Sequence, residues 1–338
     1  MGAKVTSFDV ALKAGVSQSA VSRVFSGASA SKATQEKVRE AASELGYRPN
    51  VLARSLITGR SKVIGLVVAY LDNQFYPDAL ERLSRALQER GYHILVFMAK
   101  GQDDAAIERV VGELLDYQVD GIIAASVSVS NMLTERCDAA GIPVVLFNRG
   151  SEVADSAKVT SANVAGGRKV AEFLVAGGHK RIAQVEGWKG SSTGRDRDAG
   201  FRAGLAAAGV DLWASGDGMY TREAASEVAR GFFKDGEGPD AIFVGNDHMA
   251  LAVMDTLRFE LGLKVPEDVS VVGYDDVAPA AWASYDLTTV RQPSGRMVEA
   301  TVEMLLRLID DADEKPETIE IEGPLILRGS ARIPEGWA

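Results

Sequence analysis

Polar side chains follow several predicted strands of this chain, at the points where those strands end. Asn73 and Phe75 come after the apolar run at 63–69, and Asn148 with Arg149 follows the run at 144–147. The other members of this set are Ser126, Arg197, Tyr220, Asn246 and Asp275. Each hydroxyl of a polyol both donates and accepts hydrogen bonds, and an apolar sugar face stacks on aromatic rings. These residue types therefore predict a site for a sugar-like molecule.

Several of these residues also have a purely structural interpretation. Asn246 or Asp247 could cap the helix that follows, and Asp275 with Asp276 could form a turn. Arg197 could be paired on the surface. The residue types alone leave both interpretations open.

A second polar set lies near the N-terminus. Gln18, Ser19, Ser22 and Arg23 share one face of a short predicted helix, and apolar residues occupy the other face. A glutamine amide can pair with adenine through both of its polar groups, and arginine suits guanine or phosphate. DNA contact is one interpretation of this face, and an ordinary solvated surface is the other.

Three short helices are expected to position that face. Thr6 with Asp9 predicts the start of the first helix, and Ser17 predicts the cap of a second helix over residues 18–25. A third helix is expected over 33–45. Two short helices joined by a tight turn and braced by a third are typical of a helix-turn-helix.

From residue 62 onwards, apolar strands alternate with amphipathic helices. Strands are expected at 63–69, 93–98, 121–125, 144–147, 181–185, 241–245, 269–274 and 318–321. Helices are expected at 77–90, 104–117, 131–140, 164–176, 196–208, 224–234, 250–261 and 296–308. Two such series predict two α/β lobes with parallel sheets. Ligands of these sheets bind beyond the carboxyl ends of the strands, which places the polar set in a cleft between the lobes.

Composition restricts the class of protein. A chain of 338 residues with 46% hydrophobic residues fits two or three globular domains. The longest apolar run is about half of a membrane span, and no secretory signal is visible, so we expect a cytoplasmic protein without membrane contact. The single cysteine, Cys137, agrees with a reducing compartment, and the three histidines lie far apart. No metal or cofactor is expected.

Charge is distributed unevenly along the chain. Residues 1–60 contain nine Lys and Arg against four Asp and Glu, a net charge of +5, whereas the remainder has 28 against 43, a net charge of −15. A basic head suits phosphate contact, and an acidic body avoids nonspecific DNA binding.

Two other functions are compatible with parts of the sequence. The glycine-rich loop at 187–194 follows a strand, as phosphate-binding loops do, but it lacks a terminal Gly-Lys-Ser/Thr, and no Gly-x-Gly-x-x-Gly follows the first strand. No catalytic triad is suggested either, so an enzyme is disfavoured. A transport-binding protein would share the two lobes, but it would need a signal peptide and would lack the basic head.

Taken together, these segments resemble the LacI/GalR family of bacterial repressors over nearly the entire chain. The matching pieces of the head are Asp9-Val10-Ala11, Ala14-Gly15-Val16-Ser17, Val21-Ser22-Arg23-Val24 and Gly46-Tyr47-Arg48-Pro49-Asn50. Those of the body are Arg197 with Gly200-Phe201, Asn246-Asp247 with Met249-Ala250, and the segment 269–276. The resemblance implies a homodimeric repressor of double-stranded operator DNA, controlled by a small sugar-like effector and without a cofactor.

The resemblance also implies roles for individual residues of the head. Gln18 and Ser19 occupy the positions that select the operator sequence, and Arg23 matches a DNA-contacting residue. The other implied DNA-binding residues are Thr6, Ser17, Ser22, Asn50, Ala53, Arg54 and Leu56. Leu56 would wedge into the minor groove from a hinge that folds only on the operator. Ala20 stands where the family usually has threonine, so the resemblance does not determine which base is recognised at this position.

In the body, Arg197, Asn246 and Asp275 match positions that contact the effector. The family often has an acidic residue followed by arginine at the positions of Asn148 and Arg149, so Arg149 matches the family and Asn148 replaces the acidic residue. The implied domains are a helix-turn-helix at 1–49, a hinge at 50–61 and a sensor at 62–338. Within the sensor, the first lobe comprises about 62–161 and 291–325, and the second comprises about 162–290 with the C-terminal end.

Overall fold

The computed structural model describes residues 5–26, 29–48, 60–99, 104–126, 136–150, 156–311 and 313–337. The chain forms two compact units, Met1–Lys62 and Val63–Ala338. The predicted hinge contacts at Asn50, Ala53, Arg54 and Leu56 lie outside the described residues.

The N-terminal unit contains the three predicted helices. They are α1 (Ser7–Ala14), α2 (Gln18–Ser26) and α3 (Lys32–Leu45). Thr6 and Asp9 form a reciprocal capping box at the start of α1, as predicted. Val10, Val21 and Val38, one from each helix, form the centre of a small apolar core. The predicted helix-turn-helix is confirmed.

The second unit contains two six-stranded sheets within its described residues. The first sheet comprises β1 (Val63–Val68), β2 (His93–Met98), β3 (Gly121–Ala125), β4 (Val144–Phe147), β5 (Ala157–Ser161) and β11 (Thr318–Ile321). The second comprises β6 (Ile182–Glu186), β7 (Ala214–Asp217), β8 (Ala241–Val244), β9 (Ser270–Asp275), β10 (Thr288–Arg291) and β12 (Leu325–Ile326). The strand orders are β11-β5-β4-β3-β1-β2 and β12-β10-β9-β8-β6-β7. All neighbours are parallel except β10 with β12, so the predicted two-lobed α/β fold is confirmed.

Helices cover these sheets. Their bounds are α4 (Phe75–Glu89), α5 (Asp104–Asp116), α6 (Asn163–Ala176), α7 (Ser192–Ala207), α8 (Arg222–Phe232), α9 (Asp247–Asp255) and α10 (Ser294–Asp310). The predicted helix at 131–140 falls partly outside the described residues, and residues 136–139 of it are helical. In the described ranges no helix is long and apolar enough to cross a bilayer, and no cluster of His, Cys, Asp or Glu could hold a metal ion.

The structure corrects the expected elements at several points. The strands β5, β7, β10 and β12 were not expected, because the first three are short and mix polar with apolar residues and β12 has only two residues. Helix α7 begins four residues before the expected start at 196, because Ser191 caps it through the backbone N–H of Gly194. Strand β10 runs to Arg291 and β12 begins at Leu325, so both ends of the segment assigned to the first lobe belong to the second sheet.

Close packing of α6 against α7 positions the second lobe's polar residues. A Cβ atom at Gly167 would lie 2.2 Å from the backbone oxygen of Arg197, and one at Gly200 would lie 2.0 Å from the backbone oxygen of Val164. Only glycine permits this approach, because the opposing atoms belong to the backbone and cannot rotate away. The contact fixes the place from which Arg197 projects.

We expect Gly200→Ala to lower the free energy of unfolding of the second unit by about 1–3 kcal/mol, since an overpacked contact must push the two helices apart. Gly231→Ala in α8 is the matched control, because its added methyl group meets no atom within 4 Å. That variant is expected to be stabilised by up to about 1 kcal/mol, because alanine favours helix. Chemical denaturation checks both, and equal stabilities of the two variants would contradict the packing argument.

Candidate functional site in the cleft between the lobes

Arg197 is buried in the second lobe, where it projects from α7. Its Nε donates to Asn163 Oδ1 at 2.9 Å, and its Nη1 donates to the backbone oxygen of Gly245 at 2.6 Å. The guanidinium carbon lies 3.7 Å from the centre of the Tyr274 ring, and Nη2 pairs with Asp275 Oδ1 at 3.4 Å. These partners come from three parts of the second lobe, so the guanidinium is held in one orientation.

Asp275 joins the two lobes. It ends β9 with a φ of 124°, in the left-handed region that a non-glycine residue rarely adopts. Its Oδ1 accepts from Gln292 Nε2 at 2.7 Å, and its Oδ2 accepts from Asn73 Nδ2 at 3.2 Å. Asn73 belongs to the first lobe, and its own Oδ1 accepts from the backbone N–H of Phe75 at 3.0 Å. A strained backbone that directs a buried carboxylate across the cleft is typical of a functional position.

A second buried carboxyl lies next to Asp275. Asp247 is fully buried and accepts from the Thr289 hydroxyl at 2.6 Å and from the backbone N–H of Val277 at 3.0 Å. Burial, followed by the charge of Asp275, raises the pKa of Asp247 well above its ordinary value. Burial also raises the pKa of Asp275, and the Arg197 guanidinium opposes that rise. Arg197 thus favours the ionised form of the carboxyl group that faces the cleft.

Asn246 has the capping role that was one of its two interpretations. It precedes α9, and its Oδ1 accepts from the backbone N–H of Met249 at 3.0 Å. The residue is nevertheless adjacent to the Arg197 network, since Arg197 binds the backbone oxygen of Gly245.

Asn148 and Arg149 lie at the end of β4 in the first lobe. Asn148 has a φ of 61°, and its Nδ2 donates to the Tyr76 hydroxyl at 3.5 Å. Arg149 is 1% exposed, and its Nη2 donates to the Tyr70 hydroxyl at 3.2 Å. The guanidinium lies between 5.8 and 6.0 Å from the centres of the Trp188 and Tyr70 rings. Trp188 belongs to the second lobe, so Arg149 is also a contact across the cleft.

Tyr220 lines an open pocket between the lobes. The pocket has a volume of about 540 Å³ and is also lined by Tyr70, Asn73 and His248. The Tyr220 hydroxyl lies 3.2 Å from the Thr193 hydroxyl at the start of α7. An aromatic ring beside amide and hydroxyl groups suits a sugar face.

Phe75 and Ser126 have structural contacts in the first lobe. Phe75 begins α4 and stacks on Phe147, with ring centres 6.1 Å apart and planes at 13°. The Ser126 hydroxyl accepts from the backbone N–H of Ala69 at 3.0 Å, which joins the ends of β3 and β1. These two side chains support the first-lobe wall of the cleft, and Phe75 lines a second pocket together with Asp275.

The structure adds four residues that sequence reasoning missed. They are Tyr70, Asn163, Trp188 and Gln292. Tyr70 lies shortly after β1, so the rule that polar residues follow strands could have found it, whereas Gln292 follows β10, a strand that was not expected. Asn163 follows β5, a strand that was not expected, and Trp188 gave no signal because its loop resembles other glycine-rich turns.

The N-terminal unit presents its own polar surface. The side chains of Ser17, Gln18, Ser19, Ser22 and Arg23 are all exposed along α2. Gln18 Nε2 donates to the Ser7 hydroxyl at 2.9 Å, and Arg23 Nε donates to the backbone oxygen of Ser19 at 3.4 Å. Thr6 is exposed, but its hydroxyl is engaged with the Asp9 carboxylate at 2.7 Å as part of the cap.

Known proteins share both units of this chain. The sequence model of "Bacterial regulatory proteins, lacI family" matches residues 8–50, and that of "Periplasmic binding protein-like domain" matches residues 171–331. The transcriptional regulator CelR of Thermobifida fusca is 34% identical over 333 residues, which cover 95% of this chain and 96% of the relative. The chain belongs to the LacI family of bacterial regulators.

Other members of the family agree in sequence and in structure. The ribose operon repressor of Escherichia coli strain K12 is 30% identical over 329 residues, covering 96% of this LacI-family chain and 98% of the relative. The structure of the lac repressor dimer bound to operator and the anti-inducer ONPF has a TM-score of 0.88 at 29% identity, covering 97% of this chain and 99% of that chain. The CelR–cellobiose complex has a TM-score of 0.72 at 33% identity, and the match covers 97% of this chain and 100% of that chain.

The Arg197–Asp275 pair of this LacI-family regulator has a testable dependence on pH. Arg197→Met is expected to raise the pKa of Asp275 further, because it removes the charge that opposes the effect of burial. An acid whose pKa is higher in the folded state destabilises the fold as the pH rises above its unfolded pKa of about 4. The stability deficit of the variant should therefore be smallest near that pH and reach about 3–5 kcal/mol at neutral pH, as for other broken buried pairs.

Urea denaturation between acidic and neutral pH measures this deficit. Arg230→Met is the control, because Arg230 pairs with Glu260 on the surface, and surface ion pairs contribute little at any pH. A deficit of Arg197→Met that does not change with pH would show that Arg197 does not sustain the charge of Asp275.

Proposed function

We propose that this LacI-family regulator is a repressor whose affinity for operator DNA depends on a small, sugar-like effector bound between the lobes. The observation that carries the proposal is the hydrogen bond from Asn73 to Asp275, which connects the lobes at the ends of two predicted strands. A ligand that replaces this bond would alter the relation between the lobes.

The polar groups of the cleft support a polyol as the effector. Arg197, Asp275 and Asn73 present donors and acceptors, and Tyr220 presents a ring. Ligand hydroxyls need both kinds of partner. Two relatives agree with this chemistry: the CelR structure contains cellobiose, and another relative is named for the ribose operon. We include Asn148, Arg149, Ser126, Phe75 and Asn246 in the proposed site as well.

Contacts between the lobes provide the coupling. Besides Asn73 with Asp275, the backbone N–H of Gly150 donates to the Ser192 hydroxyl at 2.7 Å. A ligand that binds one arrangement of the lobes more tightly than another shifts the population toward it. Operator and effector are then linked reciprocally, with a coupling free energy of about 1–3 kcal/mol.

DNA recognition is assigned to the exposed face of α2. We propose that Gln18, Ser19 and Arg23 contact base edges. The DNA-contacting set also includes Thr6, Ser17, Ser22 and the hinge residues Asn50, Ala53, Arg54 and Leu56, with the hinge at 50–61. Phosphate contacts position such a head, and base contacts specify its sequence.

Two copies of the chain are proposed to act together. A single helix-turn-helix contacts few phosphates, and two half-sites supply the rest. The lac repressor structure shows a dimer on its operator. The second unit also exposes large apolar side chains, including Phe259 at 82% and Trp282 at 56%, and exposed apolar groups of this kind suit a protein interface.

The cleft is proposed to bind its ligand without chemical conversion. The family consists of DNA-binding regulators. The carboxyl groups of Asp247 and Asp275 are both engaged in hydrogen bonds within the protein, which suits binding better than proton transfer. A regulator of this kind works where the operator lies, in the cytoplasm.

Operator selection is expected to depend on Gln18. Gln18→Ala should lose about 1–3 kcal/mol of discrimination at one base position, because the bidentate amide contact is removed. Selection from a pool of randomised DNA, followed by sequencing, reads the change. Gln35→Ala is the matched control, since that amide donates to the backbone oxygen of Ala30 within the unit. An unchanged preference in Gln18→Ala would place the reading face elsewhere.

The effector response is expected to depend on Asp275. Asp275→Asn should bind the operator as the wild type does but lose most of the response, because the charged acceptor for the ligand is gone. Fluorescence anisotropy of labelled operator measures this with whichever compound shifts wild-type affinity in a panel of sugars and their acidic and phosphorylated forms. Asp276→Asn is the matched control, since Asp276 pairs with Arg291 and Arg328. A normal response in Asp275→Asn would exclude the residue from the site.

A further inference from the structure

Arg149 is a buried cation whose hydrogen-bonding capacity is largely unused. The side chain is 1% exposed, and its Nε and Nη1 atoms have no hydrogen-bond partner. Its one side-chain hydrogen bond, from Nη2 to the Tyr70 hydroxyl at 3.2 Å, involves a neutral group. A guanidinium has five N–H donors, and burial makes each unsatisfied donor costly.

No anionic side chain compensates this charge in the part of the chain that the structure describes. The leading electrostatic contributions at Arg149 come from the hydroxyls of Tyr76, Tyr70 and Tyr220. The rings of Tyr70 and Trp188 flank the guanidinium at 6.0 and 5.8 Å. Aromatic faces stabilise a cation weakly, and they do not replace an ionised partner.

Arg197 shows what a compensated arginine looks like in the same protein. It is also buried, but its nitrogens bind Asn163, Gly245 and Asp275, and Asp275 supplies the opposite charge. The difference between the two arginines indicates that no described residue supplies an anionic partner for Arg149.

The surroundings of Arg149 favour an anion further. The adjacent backbone N–H of Gly150 binds Ser192, the first residue of α7. The positive end of the α7 dipole therefore lies beside Arg149, and helix N-termini stabilise negative charge. The acidic residues Asp72 and Glu223 line the pocket of about 540 Å³ together with the basic residues Arg222 and His248.

Tyr70 connects Arg149 to that pocket. Its hydroxyl accepts from Arg149, and its side chain lines the space of about 540 Å³ between the lobes. Displacement of the Tyr70 ring would open the guanidinium to a ligand that already lies in the cleft.

We infer that the effector of this regulator carries an anionic group, a carboxylate or a phosphate, that pairs with Arg149 between the lobes. The inference rests on the proposed effector site. It narrows the effector from sugars in general to sugar acids or sugar phosphates.

Thermal unfolding of the full chain in different salts tests the inference. The probes are sodium phosphate and sodium formate, each titrated against sodium chloride at constant ionic strength. The variants are Arg149→Met, which keeps the volume but removes the charge, and Arg149→Lys, which keeps the charge. Arg202→Met is the control for general loss of a cation, because Arg202 is paired with Glu186 and Asp198 at the surface of α7.

We expect at least one of the two anions to raise the Tm of the wild type in a saturable way. Arg149→Met should weaken the apparent anion affinity by about tenfold or more, as removal of one partner of a buried charge pair does. Arg149→Lys and Arg202→Met should keep the response. A response to formate alone indicates a carboxylate effector, and a response to phosphate alone indicates a phosphate ester.

Two results would overturn the inference. One is a wild type whose Tm is the same in all three salts, and the other is an anion response that Arg149→Met retains in full. Operator binding by the wild type is measured separately, so failure of the anion test remains distinguishable from failure of the proposed regulatory function.

Discussion

The compensation of buried charge in the cleft is the constraint on which the rest of this structure depends. Arg197 and Asp275 are both buried, and either charge would be costly to bury without the other. Asp275 can face the cleft only because β9 ends in a left-handed residue, and Arg197 can reach it only because glycines let α6 and α7 approach closely. The backbone geometry and the ion pair therefore both place the Asp275 carboxylate at the same position between the lobes.

This arrangement makes the cleft responsive to a ligand. The contacts that close it are few and polar, such as the hydrogen bond from Asn73 to Asp275 and that from Gly150 to Ser192. Polar contacts of this kind exchange readily for contacts to a ligand, whereas the apolar cores within each lobe do not. The lobes can thus change their relation to each other while each keeps its own structure.

The two arginines of the cleft have different physical roles. Arg197 is neutralised within the protein and orients a carboxylate, whereas Arg149 is held between aromatic rings with donors unused. A site that buries one compensated and one uncompensated cation discriminates by charge as well as by shape, because a neutral ligand would leave the second cation unpaired.

The sequence by itself determined most of the helices and strands, the capping box at Thr6 and Asp9, and the placement of Arg197 and Asp275 near strand ends, because these follow from local patterns. It could not predict β5 and β7, whose few apolar residues become strands only beside their neighbours. Only the tertiary structure decided that Asn163 and Gln292 bind Arg197 and Asp275 and that Arg149 has no anionic partner among the described residues. Hydrogen bonds between residues far apart in the chain depend on how the two sheets face each other, and no local pattern encodes that.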